Sequence, residues 1–135
     1  MVMRLISRHV DYAVNALCFM VKRDSFARVS DLRKELDMPP FFIREIMRLL
    51  GKAGVLRSTR GKMGGFALAI PPAKINVYML MAILNDVDAD NNCTFRKRNC
   101  PRSGNCKLRE KLLATEALMR KRMKGITIAS LIEDC

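Results

Sequence analysis

The sequence lacks the features expected of a membrane-spanning protein or an enzyme. Its 135 residues contain no uninterrupted apolar run that approaches the length needed to cross a bilayer. There is one histidine, no serine–histidine–aspartate arrangement and no GxxxxGK sequence followed by serine or threonine. The opening segment also lacks the apolar centre of a signal peptide, because Arg8 and Asp11 interrupt it. We therefore expect a cytoplasmic protein that is not an enzyme.

Acidic residues are scarce, and this leaves the chain strongly positive. Thirteen Asp and Glu stand against 25 Lys and Arg, a formal net charge of +12 at pH 7. Such a surface attracts a polyanion, and nucleic acid is the first candidate. The basic residues are spread along the chain instead of forming one terminal cluster, so we do not expect membrane binding. The length and the 50% hydrophobic content suit a single core, as one domain or a domain with a dimerising helix.

Three successive helices are predicted in the first half of the chain. Apolar residues at intervals of three and four predict a helix over residues 8–22. Ser30 is placed to accept hydrogen bonds at the start of a short second helix, SDLRKEL. Met38-Pro39-Pro40 ends that helix, and the third begins near Pro40 and ends at residues 51–54. Two short helices joined by a tight turn indicate a helix-turn-helix, and the second has a mostly basic solvent face. Its opposite, inner face is apolar and carries Ile43, Ile46, Met47 and Leu50.

A glycine-rich, basic hairpin follows the third helix. Strand-like segments at 55–59 and 66–70 flank the sequence RGKMGG. Its glycines let the turn lie close to a phosphate backbone, while Arg60 and Lys62 can reach a groove or the phosphates. The predicted fold class is therefore mainly α: a winged helix-turn-helix DNA-binding domain with a two-stranded β wing and a long C-terminal dimerisation helix.

The second half of the chain predicts a short helix, a loop and a long helix. Residues 1–86 are assigned to the winged helix-turn-helix domain, residues 87–106 to a cysteine-containing loop, and residues 107–135 to the dimerisation helix and C-terminal segment. Apolar residues line one side of the long helix over 107–124. They are Leu108, Leu112, Met119 and Met123. We expect the apolar segment 126–135 to pack back against the core.

Three of the five cysteines fall within fourteen residues. Cys93, Cys100 and Cys106 have the spacing C-x6-C-x5-C, and basic neighbours favour the thiolate form that binds metal. A disulfide framework is not expected in a reducing compartment. The spacers are longer than those of structural zinc sites, which favours an iron-sulfur cluster, while buried or merely reactive cysteines stay an alternative. Cys18 is predicted to be a small core residue, and Cys135 is assigned no role.

These segments together resemble the Rrf2 family of bacterial winged-helix regulators. The resemblance rests on RLISRHVDYAV, on PPFFIREIMRLLGKAGVLRSTRGKMGGFALA, on PPAKINV and on the three cysteines, and it covers nearly the whole chain. Its most specific part is AGVLRSTRG with the following GGF, coupled to the downstream cysteines. It implies a homodimer that binds a palindromic operator in double-stranded DNA. It also implies an iron-sulfur cluster, 2Fe-2S or 4Fe-4S, that senses redox state, nitric oxide or iron-sulfur status and controls a repressor.

The resemblance further implies which residues contact DNA. These are residues at the start of the third helix and in the wing: Pro40, Phe41, Phe42, Arg44, Arg48, Arg60 and Lys62. Arg44 departs from the iron-sulfur cluster regulators of the family, which often carry an acidic residue at that position. An arginine there would favour guanine edges or phosphate, so the base preference of those relatives is not transferred.

The fourth cluster ligand differs between branches of the family. In the cluster-biogenesis regulators a histidine follows the third cysteine by three residues, but Arg109 occupies that position here and cannot ligate. In the nitric-oxide-sensing branch the ligand is an acidic residue from the partner's first helix. Asp11 lies in the comparable stretch, with a small shift of register. We expect Asp11 as the fourth ligand, with His9 as the alternative and Glu110 also left open.

Two rival functions are considered beside this one. An electron-transfer protein or redox enzyme could use such a cluster, but it would not need a wing or a charge of +12. A cluster-free or zinc-binding regulator with the same fold is the second rival. Only metal analysis would separate this second rival from a cluster-binding regulator.

Overall fold

The computed structural model describes residues 5–23, 26–59, 64–84 and 106–133. Helices dominate, and three short strands accompany them. In chain order the elements are α1 (Arg8–Lys22), β1 (Phe26–Ala27), α2 (Val29–Leu36), α3 (Pro40–Lys52), β2 (Leu56–Thr59), β3 (Gly65–Leu68), a 3-10 turn (Pro72–Lys74), α4 (Val77–Ile83), α5 (Lys107–Lys124) and α6 (Ile128–Glu133). The mainly helical winged fold predicted from the sequence is confirmed.

The start of α2 differs from the expected one. The helix begins at Val29, and Ser30 is exposed inside its first turn. The carboxylate of Asp31 accepts the backbone N–H of Arg28 at 3.0 Å and lies 3.3 Å from the guanidinium of Arg23. The prediction that Ser30 caps the helix was therefore wrong, because a carboxylate one position later reaches the free amide and gains an ion pair.

The turn between α2 and α3 has the rigid residues expected of a helix-turn-helix. Asp37 adopts a left-handed conformation with φ of 46°, which ends α2 and redirects the chain. Pro39 and Pro40 follow, and Pro40 is the first residue of α3, where its missing N–H costs nothing. The C-terminal end of α3 is marked by Gly54, whose φ of 87° suits glycine.

The sheet has three antiparallel strands in the order β1-β3-β2. β2 and β3 form the hairpin predicted as the wing, with Leu56 opposite Leu68 and Thr59 opposite Gly65. The third strand, β1, was not predicted and pairs with the other edge of β3. Two residues are too short to show the alternation by which a strand is recognised in a sequence.

The core of the winged domain lies between α1, α3 and the strands. α1 buries Val10, Ala13, Ala16, Leu17 and Met20. α3 buries the four residues predicted for its inner face, namely Ile43, Ile46, Met47 and Leu50. No polar or charged residue is buried among the residues that the structure describes. The exposed side of α3 is therefore set by the burial of its apolar side.

The C-terminal segment packs against this core, as expected. Ile128 of α6 is fully buried, and α6 contacts α1 and the 3-10 turn. The backbone N–H of Ile128 donates to the carbonyl of Ile75, and that of Val77 donates to the carbonyl of Ile126, both at 2.9 Å. α5 is anchored at its C-terminal end, where Met123 is buried.

Candidate nucleic-acid interface

The exposed side of α3 carries one aromatic and two basic side chains. Phe41, Arg44 and Arg48, called the α3 stripe below, are spaced so that they lie on one face of the helix. Phe41 is 72% exposed, and both arginines are exposed. This face belongs to the second helix of the helix-turn-helix, the element that enters the major groove in such motifs. It can offer cationic donors and an apolar ring to a ligand.

The two arginines of the α3 stripe differ in their contacts. Arg48 pairs with Glu45 across 3.0 Å, between its Nη2 and the carboxylate Oε1. Arg44 has no hydrogen bond or ion pair with any residue that the structure describes. An exposed pair such as Arg48–Glu45 contributes little energy, so phosphate could replace the carboxylate. Both guanidinium groups can therefore serve an anionic or hydrogen-bond-accepting ligand.

Phe42 has a different position from Phe41. It is half-buried, and its ring centroid lies 5.1 Å from that of His9 at an interplanar angle of 77°. The ring centroid of Tyr12 lies 6.1 Å from that of Phe42. Phe42 thus connects the start of α1 with the start of α3. Of the first three residues assigned to DNA contact, Phe41 is exposed, while Pro40 and Phe42 are only partly so.

Thr59 and Gly65 form the last described pair of the β2–β3 hairpin. The N–H of Gly65 donates to the hydroxyl of Thr59 at 2.9 Å, and that hydroxyl donates to the carbonyl of Gly65 at 3.3 Å. Arg60 and Lys62, the wing residues assigned to DNA contact, lie outside the described residues. These two hydrogen bonds connect the end of β2 with the start of β3.

Further exposed basic side chains occur on elements that pack against α3. They include Arg33 and Lys34 on α2 and Arg57 on β2, and Arg8 and Lys22 on α1. None of them was predicted from the sequence to contact DNA. Their only signal in the sequence is their charge, which is shared by 25 residues of the chain. Which elements pack against α3 is decided by tertiary structure and is not visible in the sequence pattern.

Of the three clustered cysteines, the structure describes Cys106. It precedes α5, and its Sγ accepts the backbone N–H of Arg109 at 3.4 Å. Cluster-ligating sulfurs are commonly tuned by such amide hydrogen bonds, so this position fits a cluster ligand. Cys93 and Cys100 lie outside the described residues. Cys18 is partly buried on α1 and packs against the core.

The candidate fourth ligands lie on exposed or partly exposed positions. The carboxylate of Asp11 is exposed and accepts a 3.5 Å hydrogen bond from the amide of Asn15. His9 packs against Phe42, and Glu110 is exposed on α5. Within the described part of the chain, no three histidine, cysteine or acidic side chains are grouped closely enough to hold a metal ion.

The first half of α5 exposes apolar side chains. Leu108 and Leu112, four residues apart on one face, are each 51% exposed. Over the described residues, none of the helices combines the length and apolar character required to span a membrane. Met119 and Met123 continue the face of Leu108 and Leu112, and they are partly or fully buried against the rest of the chain. Leu108 and Leu112 therefore extend an apolar face of α5 that packs on the core further along the helix, but no described residue covers these two leucines.

Comparison with known proteins identifies similar sequences and structures. Residues 6–134 match the model of the Rrf2 family, described as an iron-dependent transcriptional regulator. A protein of Aquifex aeolicus described as an HTH-type transcriptional regulator is 29% identical over 131 residues, which is 95% of this chain and 91% of that protein.

Two solved structures share the fold. CymR of B. subtilis, described as the global cysteine regulator, superposes with a TM-score of 0.77 and 16% identity, covering 98% of this chain and 99% of CymR. IscR of T. potens gives a TM-score of 0.75 and 18% identity, covering 97% of this chain and 88% of IscR.

Proposed function

The chain belongs to the Rrf2 family of transcriptional regulators and is not an enzyme, and we propose that it is a homodimeric repressor controlled by an iron-sulfur cluster. The observation that carries the DNA-binding part is the α3 stripe, an exposed aromatic and basic face on the second helix of a helix-turn-helix. Together with Arg60 and Lys62 in the wing, it is proposed to bind a palindromic operator. The charge of +12 supports this assignment.

The proposed dimer pairs the α5 helices of two copies. Leu108 and Leu112 support it, because two half-exposed leucines on one face can be covered by the same face of a second copy. Two-fold symmetry would then present two α3 helices to successive major grooves, about 34–36 Å apart. An operator with two inverted half-sites follows from that symmetry.

The proposed cluster is held by Cys93, Cys100 and Cys106, with Asp11 of the second copy as the fourth ligand and His9 as its alternative. The cluster, when bound, would supply a group whose charge and ligation change with redox state or nitric oxide. Cys106 leads directly into α5, and its sulfur takes a hydrogen bond from the first turn of that helix. A displacement of Cys106 would therefore be transmitted to the proposed dimer helix. A preference of roughly 1–2 kcal/mol for one arrangement would change operator occupancy by about five- to thirty-fold.

A second candidate function is a regulator that senses something other than an iron-sulfur cluster. CymR, described as the global cysteine regulator, has the same fold as this chain over nearly its whole length. The fold by itself therefore does not select the signal, and the second candidate is a zinc-binding or cluster-free regulator. This candidate retains the α3 stripe and differs only in what the cysteines do.

The first experiment is purification without oxygen, followed by visible absorption and by iron, sulfide and zinc analysis. We expect a brown protein with matched iron and sulfide. Replacing Cys93, Cys100 and Cys106 together with alanine should remove both, while helical circular dichroism is retained. Cys18→Ala is the matched control and should keep the iron. A colourless protein would contradict the cluster and favour the second candidate, and it would leave DNA binding to be tested separately.

A further inference from the structure

Phe41 is the most exposed of the large hydrophobic residues in the described part of the chain, at 72%. A single exposed apolar side chain is common on protein surfaces and needs no explanation by itself. Phe41 differs in its position, because it lies in the first turn of α3. In a helix-turn-helix, side chains from this turn reach the base edges.

The ring of Phe41 follows a rigid backbone segment and has one aromatic neighbour. The preceding Pro39 and Pro40 restrict the backbone, and Phe42 lies against the Phe41 ring with centroids 5.9 Å apart at 72°. Phe42 in turn packs against His9 and Tyr12 of α1. The rigid backbone and the contact with Phe42 reduce the conformational entropy that Phe41 would lose on binding.

The chemistry of the ring restricts what it can recognise. A phenyl group neither donates nor accepts conventional hydrogen bonds, so the donors and acceptors of the major groove gain nothing from it. The apolar group that the groove displays in ordinary DNA is the 5-methyl group of thymine. We infer that Phe41 contacts a thymine methyl group in each half-site of the operator. This inference rests on the proposed DNA-binding function.

Arg44 sets where that thymine lies. Its side chain is exposed and three residues along the same face, and residues so spaced have Cβ atoms about 5–6 Å apart. An unpaired guanidinium in the major groove prefers the O6 and N7 acceptors of guanine. Successive bases on a strand are about 3.4 Å apart along the axis. The half-site therefore contains a thymine and a guanine separated by about one or two base pairs.

The test begins by selecting duplexes that bind the wild-type protein from a random library. We expect an inverted repeat with thymine and guanine at this separation in each half. Each thymine is then replaced by uracil, which removes only the methyl group. At one position per half-site, wild-type affinity should fall about fourfold for a single replacement, since burying one such group contributes about 0.8 kcal/mol.

Variants of Phe41 then link the effect to this side chain. Phe41→Ala should bind the thymine and uracil duplexes equally, while Phe41→Leu should keep part of the discrimination because it remains apolar. Both variants should melt like the wild type, as the residue is exposed. Lys74→Ala, which removes one exposed charge from the 3-10 turn, should discriminate as the wild type does.

The outcomes separate this inference from the proposed function. If no sequence is enriched by either the cluster-loaded or the cluster-free protein, the proposed binding of a specific operator is overturned. If a sequence is enriched but the wild type binds its thymine and uracil forms equally, only the role of Phe41 is overturned. Discrimination that persists in Phe41→Ala would likewise assign the methyl contact to another residue.

Discussion

Replacing Gly65 with alanine should destabilise the fold by crowding two strands. Gly65 opens β3, and a β-carbon there would lie 2.7 Å from the carbonyl oxygen of Ala27 and 2.8 Å from Cζ of Phe26. Non-bonded carbon contacts are favourable at about 3.5–4.0 Å. Rotation of the Phe26 ring could relieve the contact with Phe26. The contact with the backbone oxygen of Ala27 can be relieved only if β1 moves away from β3.

The expected loss follows from the size of that displacement. Insertion of one carbon into a packed site that must shift to receive it typically costs about 1–3 kcal/mol. For a domain of this size, 1 kcal/mol corresponds to a shift of roughly 4 °C in the midpoint of thermal unfolding. We therefore expect Gly65→Ala to melt about 4–12 °C below the wild type.

Thermal unfolding followed by circular dichroism would measure this difference, and Gly51→Ala is the matched control. A β-carbon at Gly51 would meet nothing nearer than the carbonyl oxygen of Leu56 at 4.0 Å, and the residue lies inside α3. Alanine is favoured over glycine in helices by about 0.5–1 kcal/mol, so this variant should be at least as stable as the wild type. An unchanged midpoint for Gly65→Ala would refute the close approach of β1. An equal loss in both variants would refute its attribution to crowding.

Three further predictions concern a helix start, the α3 stripe and the proposed dimer. The pKa of Asp31 lies below its ordinary value, first because its carboxylate accepts the N–H of Arg28. Asp31→Ala should therefore cost about 1 kcal/mol at neutral pH in urea unfolding, with the difference narrowing as pH falls below about 4; a pH-independent difference would contradict this. Glu45→Gln should release Arg48 and tighten operator binding by about two- to fivefold in fluorescence anisotropy, and weaker binding would instead give Glu45 a positioning role. Leu112→Glu should weaken self-association at least about fivefold in sedimentation equilibrium, whereas an unaffected dimer would place the interface elsewhere.

Much of the helical framework could be read from local patterns. The predicted helix at residues 8–22 coincides with α1, and the four residues expected on the inner face of α3 are all buried. The limits of α3 coincide with proline at its start and glycine just after its end. These features depend on residues only a few positions apart. Their spacing and backbone preferences can therefore be read directly from the sequence.

The cysteine cluster was also visible in the sequence, since its spacing is local. Its chemistry is not set by spacing alone, because longer spacers only weakly separate an iron-sulfur cluster from zinc. The structure adds the position of Cys106 at the start of α5 and its hydrogen bond from Arg109. That contact requires the helix to begin where it does.

The sequence by itself determined α1, α3, α4 and α5, the hairpin and the basic character of the candidate interface, because short-range spacing and composition specify them. Tertiary structure alone decided the pairing of β1 with β3, which brings Ala27 against Gly65 across nearly forty residues of chain. It also separated the roles of two adjacent phenylalanines: Phe42 packs against α1, while Phe41 is left exposed. The identical side chains carry no sign of this difference, because burial depends on which distant element packs against each one.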